Sequence, residues 1–317
     1  MTKSAKIAVV MGGGSSEREV SIQTGAGVMR ALHALGYDAQ SLDYDARFID
    51  AVRVLEPDAV FNALHGLGGE SGELQGLLDH LGIAYTGSGL RACALALDKH
   101  LAKKLFAAEG LPTPSWELFD VAGGTLPLLP GSLDLPLVVK PRDEGSSVGV
   151  AIVRTHEQWG KAMLEAAGQY TQILAEEYVP GREFACGIVG EDALPVVEII
   201  PNRDEFYNYE AKYEAGASTH VVPAEIGDDL AGRLQTLALS AHRLLGLRDY
   251  SRADFIVTPE GRPYLLEINA TPGLTATSLL PDAARAIGMS YEALVERLVG
   301  FALARVAATG RADRRSG

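Results

Sequence analysis

Two short apolar runs, each ending in a glycine-rich loop, constrain this chain most. Lys6-Ile7-Ala8-Val9-Val10-Met11 runs into Gly12-Gly13-Gly14-Ser15-Ser16, and Ala59-Val60-Phe61-Asn62-Ala63-Leu64 runs into His65-Gly66-Leu67-Gly68-Gly69. Continuous apolar runs of this length are the pattern of strands buried on both faces. A helix is expected to start near Glu17 to Ser21. Strand, glycine loop and helix in succession predict a parallel sheet with helices on its faces. Ligands of such sheets bind beyond the carboxyl ends of the strands, and both glycine loops lie there.

The alternation of strand and helix holds to about residue 95. A helix is expected from Lys99 to Gly110, stopped by Gly110, Pro112 and Pro114. A Pro/Gly/Leu-rich connection at 122–134 leads to a strand at 137–140, a loop at 143–149, a strand at 150–153, a helix over 156–168 and a strand at 173–179. The remainder predicts strands at 184–189 and 194–200, a polar aromatic loop at about 202–220, a helix at 228–245, a hairpin at 251–269 and a helix at 290–308. The expected units are 1–96, 97–183 and 184–312, with a disordered tail at 313–317.

Composition narrows the class. The 317 residues carry 28 Lys and Arg against 41 Asp and Glu, a net charge of −13. A nucleic-acid surface needs a basic face, so none is expected. The two cysteines, Cys93 and Cys186, make neither a disulfide framework nor a zinc pattern. The apolar run at Ile7–Met11 is too short for a signal-peptide core, and no stretch reaches membrane-spanning length. A cytoplasmic protein is expected.

The hairpin carries the strongest chemical signal. Asp254 lies in Ser251-Arg252-Ala253-Asp254-Phe255, and Glu267 and Asn269 lie in Leu265-Leu266-Glu267-Ile268-Asn269, with Gly261 marking the turn. Residues two apart on a strand share a face, so Glu267 and Asn269 project together and Asp254 can join them. Two carboxylates and an amide oxygen suit Mg²⁺ better than Zn²⁺. The plainer reading is a water-exposed polar face. Arg252 shares the face of Asp254 and invites an anion, either that carboxylate or a substrate oxygen.

Other segments fit around a phosphate-bearing ligand. Lys140 precedes Asp143-Glu144-Gly145-Ser146-Ser147-Val148-Gly149, in which glycines allow close approach and Ser146 and Ser147 offer hydroxyls and N–H groups. The Gly-Lys-Ser/Thr ending of a Walker A loop is absent, and a plain Gly-Ser turn is the alternative. In Glu176-Glu177-Tyr178-Val179 a strand edge can read an adenine, and Glu183 beyond it can bond ribose hydroxyls; an exposed acidic strand end is the alternative. Glu17 near a helix start has a structural explanation in the helix dipole. His65, after a strand and before Gly66, is a candidate binding residue. Gly273 can offer an N–H to an oxyanion, and Ser278 can hold a carboxylate at a helix start.

At these residues the chain resembles the ATP-grasp superfamily and, more closely, the D-alanine–D-alanine ligases. The matching stretches are Met11 to Ser21, Ala63 to Glu70, Tyr85 to Gly89, Asp98-Lys99, Val139 to Pro141 with Glu144 to Gly149, Phe206 to Tyr213, Arg252 to Asp254 and Glu267 to Asn269. Departures are Ser71 in place of Asp, Ala270-Thr271 in place of Thr-Ser or Thr-Leu, and Thr277 where some members have His. The resemblance implies an α/β fold of ATP-grasp type, with a Rossmann-like N-terminal domain and two α+β domains clasping ATP. It implies ligation of two D-alanines through a D-alanyl phosphate, for peptidoglycan precursor synthesis.

It also implies roles. Lys99, Lys140 and Lys212 would neutralise phosphates, with Ser146 and Ser147 in the same loop. Glu176, Glu177, Tyr178 and Val179 would frame adenine, and Glu183 would take the ribose. Asp254, Glu267 and Asn269 would hold two Mg²⁺ or Mn²⁺. Glu17 and His65 would bind the first ammonium, and Arg252 and Gly273 the oxyanion. Ser278 and Leu279 would hold the second carboxylate, with Ser146 and Tyr213 linked to Glu17. A homodimer is expected. The alternatives are another ATP-grasp ligase or a nucleotide-binding regulator without turnover.

Overall fold

The computed structural model describes residues 5–122, 127–129, 131–145, 148–202 and 218–308. The first ninety-odd residues form β1 (Lys6–Met11), α1 (Arg18–Leu35), β2 (Asp38–Asp43), α2 (Phe48–Leu55), β3 (Ala59–Asn62), α3 (Glu73–Leu81) and α4 (Leu90–Leu97). The strands make a parallel sheet in the order β2-β1-β3. The apolar run of β1 is explained by burial on both sides. Ile7 and Val9 pack with α1, while Ala8 and Val10 pack with Phe48 and Val52 of α2 and Leu74 of α3. Each fully buried side chain of this size contributes about 1.5–3 kcal/mol over exposure.

The next stretch holds α5 (Lys99–Ala108), β4 (Trp116–Asp120), β5 (Leu137–Pro141), β6 (Ala151–Val153), α6 (His156–Ala167) and β7 (Gln172–Glu177). The four strands form an antiparallel sheet in the order β4-β7-β5-β6. Trp159 and Met163 of α6 cover one face with Val139, Val153 and Ile173.

The last stretch holds β8 (Arg182–Val189), β9 (Asp192–Ala193), β10 (Val197–Pro201), β11 (Ser218–Val221), α7 (Asp228–Leu244), β12 (Tyr250–Val257), β13 (Pro263–Asn269), α8 (Leu279–Ala286) and α9 (Tyr291–Ala308). Its antiparallel sheet runs β11-β10-β8-β12-β13, with β9 beside β8. One face of this sheet packs on α7, α4 and α5 through Phe184, Phe255, Leu234, Cys93 and Phe106. The other face joins the core of the parallel sheet through Ala185, Leu280, Leu294 and Leu298.

A polar knot ties the first and last stretches together. Asp249 accepts from the Gly87 N–H at 2.8 Å and from Arg305 Nη1 at 2.6 Å, and Arg248 Nε donates to the Gly87 carbonyl at 2.9 Å. Gly87 has φ +89° and Asp249 φ 64°, so both chains turn left-handed where they meet.

The sequence expectation is adjusted at several places: the helix expected to Gly110 ends at Ala108, and β4 was not expected. The strand expected at 173–179 ends at Glu177. The strand expected from 194 starts at Val197, with the two-residue β9 before it. The long loop expected to 220 gives way to β11 at Ser218, which pairs with β10. Ser146, Ser147, Lys212 and Tyr213 lie outside the described residues.

Candidate active site

The carboxyl-terminal ends of β1 and β3, the cleft face of the β12–β13 hairpin and the inner face of the four-stranded sheet meet around two adjoining pockets. Lys99, Glu144 and Glu267 line both.

One pocket is apolar, with charge at its edges. Val138, Ile152, Ile256 and Leu266 line it, together with Lys140, Glu176, Glu177, Tyr178, Val179, Glu183 and Asp254. This brings together the residues proposed from sequence for a nucleotide. Glu176 is not the exposed strand end considered as the alternative; it is 2% exposed. Its Oε1 lies 2.7 Å from Lys140 Nζ and 3.2 Å from Lys103 Nζ. Although burial works the other way, the two lysines hold this carboxyl below its usual range.

The strand end is less open than the sequence suggested. The N–H groups of Glu177 and Tyr178 already donate to Ser115 O (2.9 Å) and Pro136 O (3.2 Å). The Tyr178 amide is therefore not available to a base. Among the described residues the Val179 N–H has no internal acceptor. The Tyr178 ring carries the Arg154 guanidinium 5.5 Å from its centroid.

The hairpin brings Asp254 opposite Glu267 and Arg252 opposite Asn269. Arg252, Asp254 and Ile256 face the cleft, while Ala253, Phe255 and Val257 enter the core. On β13 the register slips by one residue, since Asp254 opposes Glu267 and Phe255 opposes Leu265. This bulge puts Leu266 and Glu267 on the cleft side in succession, between the core residues Leu265 and Ile268. Arg252 grips Asp254 through Nε and Nη2, each at 2.7 Å, so of the two anions expected beside it the carboxylate is the one it holds here. Asn269 Oδ1 accepts from the Thr271 N–H at 2.8 Å.

Lys99 sits at the start of α5, where Asp98 caps the helix by accepting from the Leu101 N–H at 3.0 Å. Arg142 clamps Asp98 in turn. Lys99 Nζ donates to the Glu144 carbonyl and lies 3.6 Å from Glu267 Oε2. The ammonium thus stands on the boundary between the pockets.

The second pocket is polar. Glu17, His65 and Glu70 line one wall, and Arg252, Asn269, Gly273, Ser278 and Leu279 another. Glu17 precedes the first turn of α1 and is 4% exposed. A Cβ at Gly66 would come within 2.9 Å of Glu17 Oε2, so glycine there lets the loop close on the carboxylate. His65 is held by Thr24 Oγ1 on Nε2 at 3.0 Å and by Glu70 on Nδ1 at 3.5 Å. Burial pushes the Glu70 carboxyl up; His65 opposes the shift and neighbouring Glu17 adds to it.

Ser278 Oγ accepts from the Thr275 N–H at 3.0 Å and meets Thr275 Oγ1 at 2.8 Å. A Cβ on Gly273 would stand 2.9 Å from that hydroxyl. The start of α8, at Leu279, opens on the pocket with its unpaired amide dipoles, a favourable place for a carboxylate.

A family model described as "D-ala D-ala ligase C-terminus" matches residues 105–300. The D-alanine–D-alanine ligase of Geotalea uraniireducens (strain Rf4) is 46% identical over 305 residues, 96% of this chain and 97% of that protein. That of Sphingopyxis alaskensis is 44% identical over 304 residues, 94% and 97% of the two chains. The chain belongs to the D-alanine–D-alanine ligase family. Its fold is of the ATP-grasp type. The crystal structure of the Bacillus anthracis D-alanine–D-alanine ligase complexed with ATP superposes with a TM-score of 0.84 at 30% identity, covering 97% of this chain and 100% of that one.

Sequence reasoning did not single out Glu70, Lys103 or the Glu144 carbonyl. Lys103 had a usable signal, because it follows Lys99 by four residues and so shares its helix face. Glu70 closes the loop that starts at His65, and only the fold brings its carboxylate back to the imidazole. Among the described residues, no group of three or more His, Cys, Asp and Glu gathers as a metal site. The oxygen set on the hairpin consists of two carboxylates and one amide, a composition that fits a hard divalent cation.

Proposed function

We propose that this chain joins two D-alanine molecules with ATP, releasing ADP and phosphate and supplying D-alanyl-D-alanine for peptidoglycan precursors. The observation that carries this reading is the junction at Lys99 and Glu267, where an apolar pocket edged with charge meets a polar one. In the polar pocket Glu17 and the His65–Glu70 pair take the ammonium of the first D-alanine. Its carboxylate then points at the junction and attacks the terminal phosphoryl group of ATP, giving an acyl phosphate and ADP. Lys99 and Lys140 neutralise phosphate oxygens.

The second D-alanine places its carboxylate at Ser278 and the start of α8. Its amine attacks the acyl carbon, and phosphate leaves with the former acyl oxygen. Arg252 and the Gly273 N–H face the developing oxyanion; each such donor is worth about 3 kcal/mol. Asp254, Glu267 and Asn269 would hold two Mg²⁺ or Mn²⁺. Bound there, the cations supply charge neutralisation for phosphoryl transfer.

This reading takes Ser146, Ser147 and Lys212 at the phosphates and Tyr213 at the second substrate on family resemblance alone. It keeps three functional units with bounds near 96 and 183, and a cytoplasmic homodimer, which sedimentation equilibrium would check. No described helix is long and apolar enough to cross a membrane.

The test is phosphate release from ATP across a panel of D- and L-amino acids, with product analysis. Release with D-alanine, together with D-alanyl-D-alanine, is expected. Release only with another amine or carboxylate, or ATP binding with no turnover, would overturn the reading.

A further inference from the structure

Lys103 lies behind the wall of the nucleotide pocket and does not line it. It is fully buried, and its ammonium touches three things. Thr113 Oγ1 accepts from it at 2.6 Å, Glu176 Oε1 lies at 3.2 Å, and the Trp116 ring centroid at 5.3 Å. Burial pushes its ammonium down to about 8, against the pull of Glu176.

A buried lysine is costly unless it is paired. Here the pairing is shared, because the same Glu176 oxygen serves Lys140 at 2.7 Å. Neither contact is well aligned as a hydrogen bond on that oxygen; the lysines hold it by charge. The three groups sit on different elements. Lys103 is on α5, Glu176 on β7 and Lys140 at the end of β5. A single carboxylate between two ammonium groups keeps a net positive charge facing the pocket while fixing where Lys140 can stand.

We propose that Lys103 is a positioning residue for nucleotide binding: through Glu176 it fixes Lys140 against the phosphates of ATP. This rests on the reading of the apolar pocket as the ATP site. Lys103 needs no contact with the nucleotide. With an apolar side chain in its place, Glu176 would turn wholly to Lys140, and the cluster would fall from one net positive charge to none. The pull on a polyanion weakens accordingly.

The test compares ATP and D-alanine kinetics for the wild-type chain, Lys103→Met, Glu176→Gln and the double variant. Wild-type ATP binding is measured first by calorimetry; its absence would overturn the ATP-site reading itself. With it present, Lys103→Met should raise the KM for ATP about tenfold, leave the KM for D-alanine within about twofold, and couple non-additively with Glu176→Gln. A merely structural lysine would lower the melting temperature and move both KM values together. If Lys103→Met does not fold, Thr113→Val serves; it removes one acceptor from the ammonium and should raise the ATP KM alone, by roughly two- to threefold. An unchanged ATP KM in a folded variant, or additive effects in the double variant, would overturn the proposal.

Discussion

The two ends of the cleft arrange their buried charge in opposite ways. At the apolar end two ammonium groups, of Lys103 and Lys140, sit on one buried carboxylate, Glu176. At the polar end the carboxylates of Glu17 and Glu70 share a wall with one imidazole, His65, which Glu70 meets at 3.5 Å. The two are also supported differently. Glu176 is anchored by lysines from two separate elements, whereas Glu17 is reached by a loop that closes only because Gly66 lacks a side chain.

The residue between the two ends should give the largest effect. Glu267 borders both pockets, so Glu267→Ala should lower kcat by about a hundredfold or more, the scale seen when a group stabilising transition-state charge is removed. The melting temperature should hold, because the side chain fills no core. Near-normal turnover in steady-state assays would erase the distinction between junction and ends.

A smaller change should separate the ends. Glu17→Gln removes the charge facing the ammonium, a loss of roughly 1.5–3 kcal/mol or about one to two decades in the KM for the first D-alanine. ATP affinity measured by calorimetry should stay as it was. A matching loss of ATP affinity would mean that the ends are one electrostatic unit.

The smallest effect concerns stability. Glu70 is buried, and its carboxyl is held above the usual range. A raised carboxyl favours the folded state only while it is protonated, below roughly pH 4.3. That contribution is lost as pH rises through the folded value, which makes the buried carboxyl a liability at higher pH. Glu70→Gln should therefore raise the melting temperature by about 2–4 °C at neutral pH and by little near pH 4. D-alanine should bind less well, by less than in Glu17→Gln. Calorimetry showing an equal gain at both pH values would remove the burial argument.

The sequence told more about the ends than about what joins them. The parallel sheet was legible because Ile7 to Val10 is apolar at every position and lies covered on both faces. Helices such as His156–Ala167 and Asp228–Leu244 fell within a residue of expectation. β2, reading Asp-Ala-Gln-Ser-Leu-Asp at a sheet edge, was not legible, because only Ala39 is buried and no alternation survives. β11, Ser-Thr-His-Val, was hidden in a polar stretch and is a strand through its pairing with β10. Of the site, Asp254, Glu267 and Asn269 were readable from strand periodicity. The ion pairs of Glu176 were not, because Lys103 and Lys140 lie on elements whose approach no local pattern announces.

The slipped register at Leu266 sets a distance as well as a direction. Leu266 belongs to the apolar platform, Glu267 to the border with the polar pocket, and one peptide unit joins them. Neighbouring α-carbons are about 3.8 Å apart across a trans peptide whatever the rest of the molecule does. The step from the apolar pocket to its border with the polar one is therefore set by a covalent link within the hairpin, whatever the separation of the cleft's walls.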